Sequence, residues 1–139
     1  MLFSKIFAGI CSLASAVSAI AVTYDAGYDD ASRTLEDLMC SDGENGVMWK
    51  YGWETQADVP SFPYIGGVQT ISEWNSTNCG TCWQATYRGK TIYILAIDFT
   101  TQGLNIGFDA MNDLTSGRAW ALGRVDAIVT EVPLSSCGL

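Results

Sequence analysis

Histidine is absent from this sequence of 139 residues. Its absence excludes Ser-His-Asp and Cys-His catalysis as usually built, and every metal site with an imidazole ligand. Basic residues are also scarce, since 7 Lys and Arg stand against 15 Asp and Glu, for a net charge of −8. Clustered basic residues are what phosphate backbones and anionic membrane surfaces require, so we expect no nucleic-acid partner. The chemistry that remains is that of carboxylates and cysteines.

Long apolar runs are missing except at the N-terminus. An apolar stretch of about a dozen residues follows Lys5, which is typical of a signal peptide and too short to span a bilayer. We predict a signal peptide over residues 1–21, cut after Ala19 or Ala21, and an exported protein without a membrane span. An uncleaved anchor or a buried helix is the alternative. Residues 22–139 then form a single domain.

The cysteines indicate disulfides rather than a metal site. Cys11 leaves with the signal peptide, and four remain: Cys40, Cys79, Cys82 and Cys137. An even number in an exported chain predicts two disulfides, but spacing does not choose among the three pairings. Cys79 and Cys82 form a C-x-x-C motif, the spacing of a redox pair or of half a zinc site. No second close pair accompanies it, so we expect no metal and no cofactor.

The apolar patterning predicts a mainly β protein. Predicted strands cover residues 22–25, 47–53, 81–88, 91–98 and 124–134, and predicted helices cover residues 31–39, 68–74 and 105–116. Arg88-Gly89-Lys90 predicts a hairpin between two strands. In the last helix, Asn105 is the expected cap and Gly117 the expected end. Short strands and short helices together favour a small β-barrel with helices packed outside.

Asp98 is the first candidate for chemistry. Regular alternation along residues 91–98 places it on the same side as Ile92, Ile94 and Ala96. It ends an apolar strand and precedes a loop that contains glycine. Partial desolvation there would favour proton donation. The alternative is a structural aspartate that accepts backbone N–H groups.

Other polar and aromatic residues allow two interpretations each. Asp25 and Asp29 are either binding or capping residues. Asp126 is either a functional carboxylate or, as we expect, the partner of Arg124 or Arg118 in a structural ion pair. The five tryptophans and six tyrosines are either sugar platforms or core residues. Asn75 begins an N-x-S/T sequon, which makes it a glycosylation candidate in an exposed loop.

Short motifs along nearly the whole mature chain resemble, in order, those of the cerato-platanin family of small secreted fungal proteins. The motifs are Tyr24-Asp25 with Tyr28-Asp29-Asp30, Cys40-Ser41-Asp42-Gly43, Phe62-Pro63-Tyr64-Ile65-Gly66-Gly67, Cys79-Gly80-Thr81-Cys82-Trp83, Leu95-Ala96-Ile97-Asp98, Gly123-Arg124-Val125-Asp126 and Cys137-Gly138. The resemblance implies a six-stranded double-psi β-barrel. It also implies disulfides Cys40–Cys79 and Cys82–Cys137.

The resemblance further implies a groove that binds N-acetylglucosamine oligomers, chitin or another wall polysaccharide. The residues that carry over to it are Ser41, Asp42, Gly43, Asn45, Gly46, Asp98, Phe99, Gly103 and Asn105. It implies expansin-like wall loosening without hydrolysis, elicitation of plant defence through a receptor, and a part in virulence. The expected location is outside the cell and in the fungal cell wall, as a monomer that can self-assemble at interfaces.

Two alternative functions compete with non-hydrolytic binding. The first is a weak glycoside hydrolase with Asp98 as general acid. The sequence shows no obvious second carboxylate placed to activate water, which a hydrolase needs, so we expect no enzyme. The second is an interaction protein alone, either an elicitor or a surface-active coat.

Overall fold

A computed structural model describes Gly9 and residues 18–139 of the chain. The other residues of the predicted signal peptide, Cys11 among them, lie outside the described residues. The strands are β1 Ile20–Tyr24, β2 Ile65–Val68, β3 Thr81–Tyr87, β4 Lys90–Phe99, β5 Leu104–Ile106 and β6 Arg124–Val132. The helices are α1 Val47–Tyr51, α2 Phe108–Leu114 and α3 Ala119–Leu122, and 3₁₀ turns cover Ala26–Asp29, Leu35–Asp37, Gln56–Asp58 and Leu134–Cys137.

The strands close into a barrel in the order β1-β5-β2-β4-β3-β6. The pairs β1–β5 and β2–β4 are parallel, whereas β6 pairs antiparallel with both β1 and β3, β2 with β5, and β3 with β4. Closure leaves no open sheet edge, so every strand has two hydrogen-bonded neighbours. The predicted mainly β barrel of six strands with a few short helices is confirmed.

The predictions for the long strands and their hairpin are also confirmed. Strands β3, β4 and β6 occupy the three predicted regions of the second half, where β-branched and aromatic residues are dense. Arg88 at φ +46° and Gly89 at φ +80° make the two-residue turn between β3 and β4. Positive φ at both central positions matches the right-handed twist of the flanking strands.

The predicted strand over 47–53 is wrong, because this segment forms α1. Its composition of valine, tryptophan and tyrosine suits a strand, but glycines bound it on both sides. Gly46 precedes the helix, and Gly52 ends it at φ +72° with its N–H donating to the Met48 carbonyl oxygen. This left-handed C-cap is one that glycine adopts without a Cβ penalty.

Three predicted helices are shorter than expected or absent. Residues 31–39 hold only the 3₁₀ turn Leu35–Asp37, and Val68 belongs to β2 rather than to a helix over 68–74. Helix α2 begins at Phe108 because Asn105 lies inside β5. Gly117, at φ +86°, follows the end of α2 in the left-handed conformation that was predicted.

Two disulfides join distant parts of the barrel in the pairing that the family resemblance implied. Cys40 bonds Cys79 and Cys82 bonds Cys137, with Cα–Cα distances of 5.5 and 5.9 Å and sequence separations of 39 and 55. Loops of these lengths correspond to about 4 kcal/mol of stabilisation per bridge in the chain-entropy model. Within the described residues, no helix is long and apolar enough to cross a bilayer.

Candidate functional site

A register shift between β2 and β4 sets the direction of Asp98. Gly66 lies opposite Ala96, but its neighbour Gly67 lies opposite Asp98, which leaves Ile97 without a partner on β2. Successive residues of a strand face opposite sides, so Asp98 lies on the other face of the sheet from Ala96. The expectation that Asp98 shares a side with Ile92, Ile94 and Ala96 is therefore wrong.

Asp98 begins a row of polar side chains that crosses five strands, which we call the polar row. Gly67 pairs with Asp98 on one side and with Asn105 on the other, Asn105 pairs with Thr23, and Thr23 pairs with Arg124. Residues paired across neighbouring strands share one face of a sheet. The Thr23 hydroxyl lies 3.2 Å from Asn105 Oδ1, to which it donates. Four inter-strand steps give the row a length of about 19 Å.

The polar row lies on the face of the sheet that points away from the core. On the four strands other than β4, the next residue on the opposite face is fully or almost fully buried: Val22, Leu104, Val68 and Val125. Asp98, Asn105 and Thr23 are half-buried, and Arg124 is exposed. The polar side chains of the row are thus partly exposed, whereas Gly67 between them is buried.

Gly67 lies between Asp98 and Asn105 in the polar row. A Cβ at this position would lie 2.7 Å from the Phe99 carbonyl oxygen, closer than a carbon atom can approach. Glycine therefore allows β2 to pack against the end of β4, and Gly67 is buried under the Phe99 backbone. Phe99 itself is 38% exposed at the edge of the row.

Three donors hold the Asp98 carboxylate. The Tyr28 hydroxyl donates to Oδ2 at 2.8 Å, and the backbone N–H groups of Met39 and Phe99 donate to Oδ1, both at 2.9 Å. A carboxylate offers about four lone-pair directions, so about one remains open, on Oδ2. Asp98 is fixed in position and keeps one acceptor direction for a ligand.

Tyr28 is the buried side of this arrangement. Its ring is 3% exposed, and the Arg33 guanidinium lies 5.6 Å from the ring centre. Burial, and then the charge of Asp98, raise the pKa of Tyr28 well above its ordinary value of 10.0. The phenol therefore stays protonated at ordinary pH values and donates a hydrogen bond to Asp98.

The predicted site residues after the first cysteine are turned toward a different segment. Asp42 Oδ1 accepts from the Trp74 indole N–H at 3.2 Å. The Asn45 N–H donates to Asn75 Oδ1 at 2.7 Å, and the Asn45 side chain donates to the Asn75 carbonyl oxygen at 3.0 Å. At its start this loop is hydrogen-bonded to the Asp98 region, where the Cys40 N–H donates to the Ile97 carbonyl oxygen.

The remaining predicted site residues in these segments have structural contacts. Ser41 is buried and its carbonyl oxygen lies against the Cα of Gly46, so that a side chain at Gly46 would collide with it. Gly43 packs on the Asn75 side chain. The Gly103 N–H donates to Gln69 Oε1 at 2.7 Å. Among the predicted binding residues, the structure places Asp98 and Asn105 in the polar row, with Phe99 at its edge.

The other aspartates considered from the sequence have structural partners. Asp25 accepts from the Gly27 N–H at 2.8 Å, and Asp29 accepts from the N–H groups of Phe108 and Asp109 at 2.6 and 3.1 Å, which caps α2. Asp126 forms an exposed ion pair with Arg124 at 3.3 Å. Among residues 18–139, no group of three or more Cys, Asp or Glu side chains is arranged to hold a metal ion.

Sequence reasoning missed Gly67, Thr23 and Tyr28 as parts of the site. Each lies far from Asp98 along the chain, and the contacts depend on strand order and register. The one local signal is the pair of glycines at 66 and 67, since adjacent glycines inside an apolar segment indicate a close backbone approach.

Comparison with known proteins identifies one family. The cerato-platanin family model matches residues 20–139. The heat-stable 19 kDa antigen of Coccidioides immitis is 42% identical over 136 residues, which cover 98% of this chain and 92% of the antigen. Cerato-platanin of Ceratocystis fimbriata f. sp. platani is 35% identical over 130 residues, 92% of this chain and 93% of that protein.

Solved structures agree with the sequence comparison. The crystal structure of cerato-platanin 3 from M. perniciosa superposes with a TM-score of 0.82 at 46% identity, and covers 87% of this chain and 99% of that one. The solution structure of the fungal elicitor cerato-platanin gives a TM-score of 0.74 at 36% identity, over 84% and 95% of the two chains. With its two disulfides and its closed six-stranded barrel, this chain belongs to the cerato-platanin family.

Proposed function

We propose that this protein is secreted and binds neutral wall polysaccharides, with N-acetylglucosamine oligomers as the ligand class, without cleaving them. The observation that carries the proposal is the polar row, in which Asp98 and Asn105 lie on one face of the sheet on either side of Gly67. Two disulfides fit an extracellular protein. A ligand without charge also suits a chain of net charge −8.

The row offers the donors and acceptors that sugar hydroxyl and acetamido groups need. Asp98 Oδ2 keeps an acceptor direction, Asn105 offers an amide N–H₂, and Arg124 offers guanidinium donors. A strip about 19 Å long spans several sugar units. By competing for hydrogen bonds between polysaccharide chains, such a strip would let chains slip apart, which is the proposed basis of wall loosening.

Hydrolysis is disfavoured because a glycosidase needs a second carboxylate across the scissile bond from its general acid. The nearby candidates Asp25 and Asp29 are engaged with backbone N–H groups. The proposal is therefore binding and loosening rather than cleavage.

The test is a calorimetric titration of the exported protein with the N-acetylglucosamine tetramer. We expect saturable binding that weakens about tenfold or more in Asp98→Asn and in Asn105→Ala. Glu131→Gln removes the same charge from an exposed side chain on β6 and should bind as the wild type does. Absence of saturable binding, or equal affinities in all variants, would overturn the proposal.

Cleavage is measured separately, by the release of reducing ends from chitin and β-glucan. We expect none above a heat-inactivated control, together with measurable weakening of a chitin or cellulose sheet. Reducing ends that disappear in Asp98→Asn would establish the hydrolase instead.

A second candidate function is an interaction protein, an elicitor or interfacial coat. It is favoured by three exposed tryptophans, Trp120 at 83%, Trp49 at 72% and Trp74 at 56%. Exposed aromatic side chains mark surfaces that contact partners or interfaces. Plant-response or surface-tension activity that persists in Asp98→Asn and is lost when Trp49 and Trp120 are replaced by serine would assign that activity to these residues.

A further inference from the structure

A cavity of about 420 Å³ opens near the start of β4, at the end opposite Asp98. The segment that follows Pro60, strand β4, helix α2 and the C-terminal turn form its walls. Its lining includes Ser61, Tyr64, Ile92, Tyr93, Asp113 and Ser136. The volume lies within the range of pockets that hold small molecules. None of these residues belongs to the polar row.

A charge-balanced cluster forms the polar wall of this cavity. Lys90 Nζ lies 2.9 Å from Asp113 Oδ1, and the Tyr64 hydroxyl donates to Asp113 Oδ2 at 2.7 Å. The hydrogen bond to Asp113 raises the pKa of Tyr64 to about 12, and the bond from Lys90 holds the pKa of Asp113 below its ordinary value. Because Lys90 is the counter-ion of Asp113 and Tyr64 stays a phenol, the cluster carries no net charge.

The opposite wall combines an aromatic ring with apolar surface. Tyr93 is 39% exposed; it pairs with Gln84 on β3 and precedes the part of β4 that pairs with β2, which starts at Leu95. Pro60 and Cys137 supply apolar surface beside it. Ser61 and Ser136 add hydroxyl groups. Small-molecule sites typically combine apolar and aromatic walls with a few convergent polar groups.

The charges limit which ligand this cavity can hold. A cationic ligand would have to displace Lys90 from Asp113, and an anionic ligand would meet the Asp113 carboxylate on a chain of net charge −8. A neutral ligand with several hydroxyl groups and an apolar face meets neither penalty. Sugar rings have this character.

We propose that this cavity is a second saccharide site, which takes one neutral sugar unit against the Tyr93 ring. The choice of sugar rests on the proposed function, whereas the cavity and its neutrality do not. Tyr93 and Asp98 lie five residues apart along β4, about 16 Å. One molecule with both sites occupied can hold two polysaccharide chains at once, or one chain at two points.

The experiment is a ¹⁵N NMR titration of the exported protein with the N-acetylglucosamine tetramer. We expect two sets of saturable amide shifts, one at Ser61, Tyr93 and Ser136 and the other around Asp98 and Asn105. Tyr93→Thr removes the ring but keeps a residue that favours strands in β4, and it should weaken the first set about tenfold, without changing the second. Asp98→Asn should do the reverse.

The outcomes separate the two proposals. If the wild-type protein shows the first set of shifts but not the second, the polar-row function is contradicted and the cavity site is supported. No saturable shifts in the first set, or their disappearance in Asp98→Asn, would overturn the cavity site. If Tyr93→Thr loses the dispersed spectrum of a folded protein, Ser136→Ala, at an exposed turn, is used instead. Unchanged affinity of the first set in Ser136→Ala would then overturn the cavity site.

Discussion

Asn75 connects the loop after the first cysteine to the segment that precedes Cys79, and its replacement should destabilise the protein. Its side-chain oxygen accepts from the Asn45 N–H at 2.7 Å, and its backbone is left-handed at φ +60°. Alanine loses the hydrogen bond, at a cost of about 1 kcal/mol. It also loses the tolerance of asparagine for left-handed backbone, about 1 kcal/mol more. We expect Asn75→Ala to lower the free energy of unfolding by about 2 kcal/mol.

Replacing Asn75 by glycine separates the contribution of the hydrogen bond from that of the left-handed backbone. Asn75→Gly also loses the hydrogen bond but adopts a positive φ without strain, so we expect a loss of only about 1 kcal/mol. Thr77→Ala is the matched control, because it removes the same glycosylation sequon from an exposed position and leaves Asn75 in place. Its effect should stay within about 0.5 kcal/mol.

The assay is guanidinium unfolding of protein made in bacteria, where no glycan is attached and only the contacts of the side chain matter. The expected order of stability is wild type and Thr77→Ala first, Asn75→Gly next and Asn75→Ala last. Equal stability of Asn75→Ala and Thr77→Ala would refute the reasoning, and so would a glycine variant less stable than the alanine variant.

Three further predictions concern the rest of the fold. Burial raises the pKa of Tyr28, so as the pH rises above 10 the unfolded chain loses this proton before the folded protein does, and the free energy of unfolding falls. Tyr28→Phe should lower the free energy of unfolding by about 2 kcal/mol at pH 7 and make its decrease at alkaline pH shallower. Parallel curves of stability against pH for the two proteins would contradict this. Strand β1 begins at Ile20, so we expect the signal peptide to be cut after Ala19. An intact mass that corresponds to a chain starting at Val22 would contradict this. Replacing both Cys82 and Cys137 by alanine should cost about 4 kcal/mol in the same unfolding assay, whereas a loss below about 1 kcal/mol would show that the bridge adds little.

The sequence predicts the second half of the fold well because the signals there are local. Arg88-Gly89-Lys90 lies between two strongly β-prone segments, and nothing competes with the hairpin. Val47–Tyr51 is the opposite case, since its composition favours a strand and only the flanking glycines indicate the short helix that forms. Asn105 is a good helix cap in isolation, but pairing with both Thr23 and Gly67 places it in β5.

Only two residues of the site, Asp98 and Asn105, were predictable from the sequence. Asp98 stands out because it ends an apolar strand, and the family resemblance adds Asn105. Their position on one face depends on the register shift at Ile97, which reverses the side predicted by simple alternation. Gly67 joins them only because β2 lies between β4 and β5, and strand order is not a local property of the sequence.

The most direct test of the account is a crystal structure of the exported protein with the N-acetylglucosamine tetramer. We predict ordered sugar along the polar row, with a hydroxyl group donating to Asp98 Oδ2 and an acetamido group hydrogen-bonded to Asn105. A saturated crystal in which the polar row stays empty and the tetramer binds elsewhere would contradict the central claim.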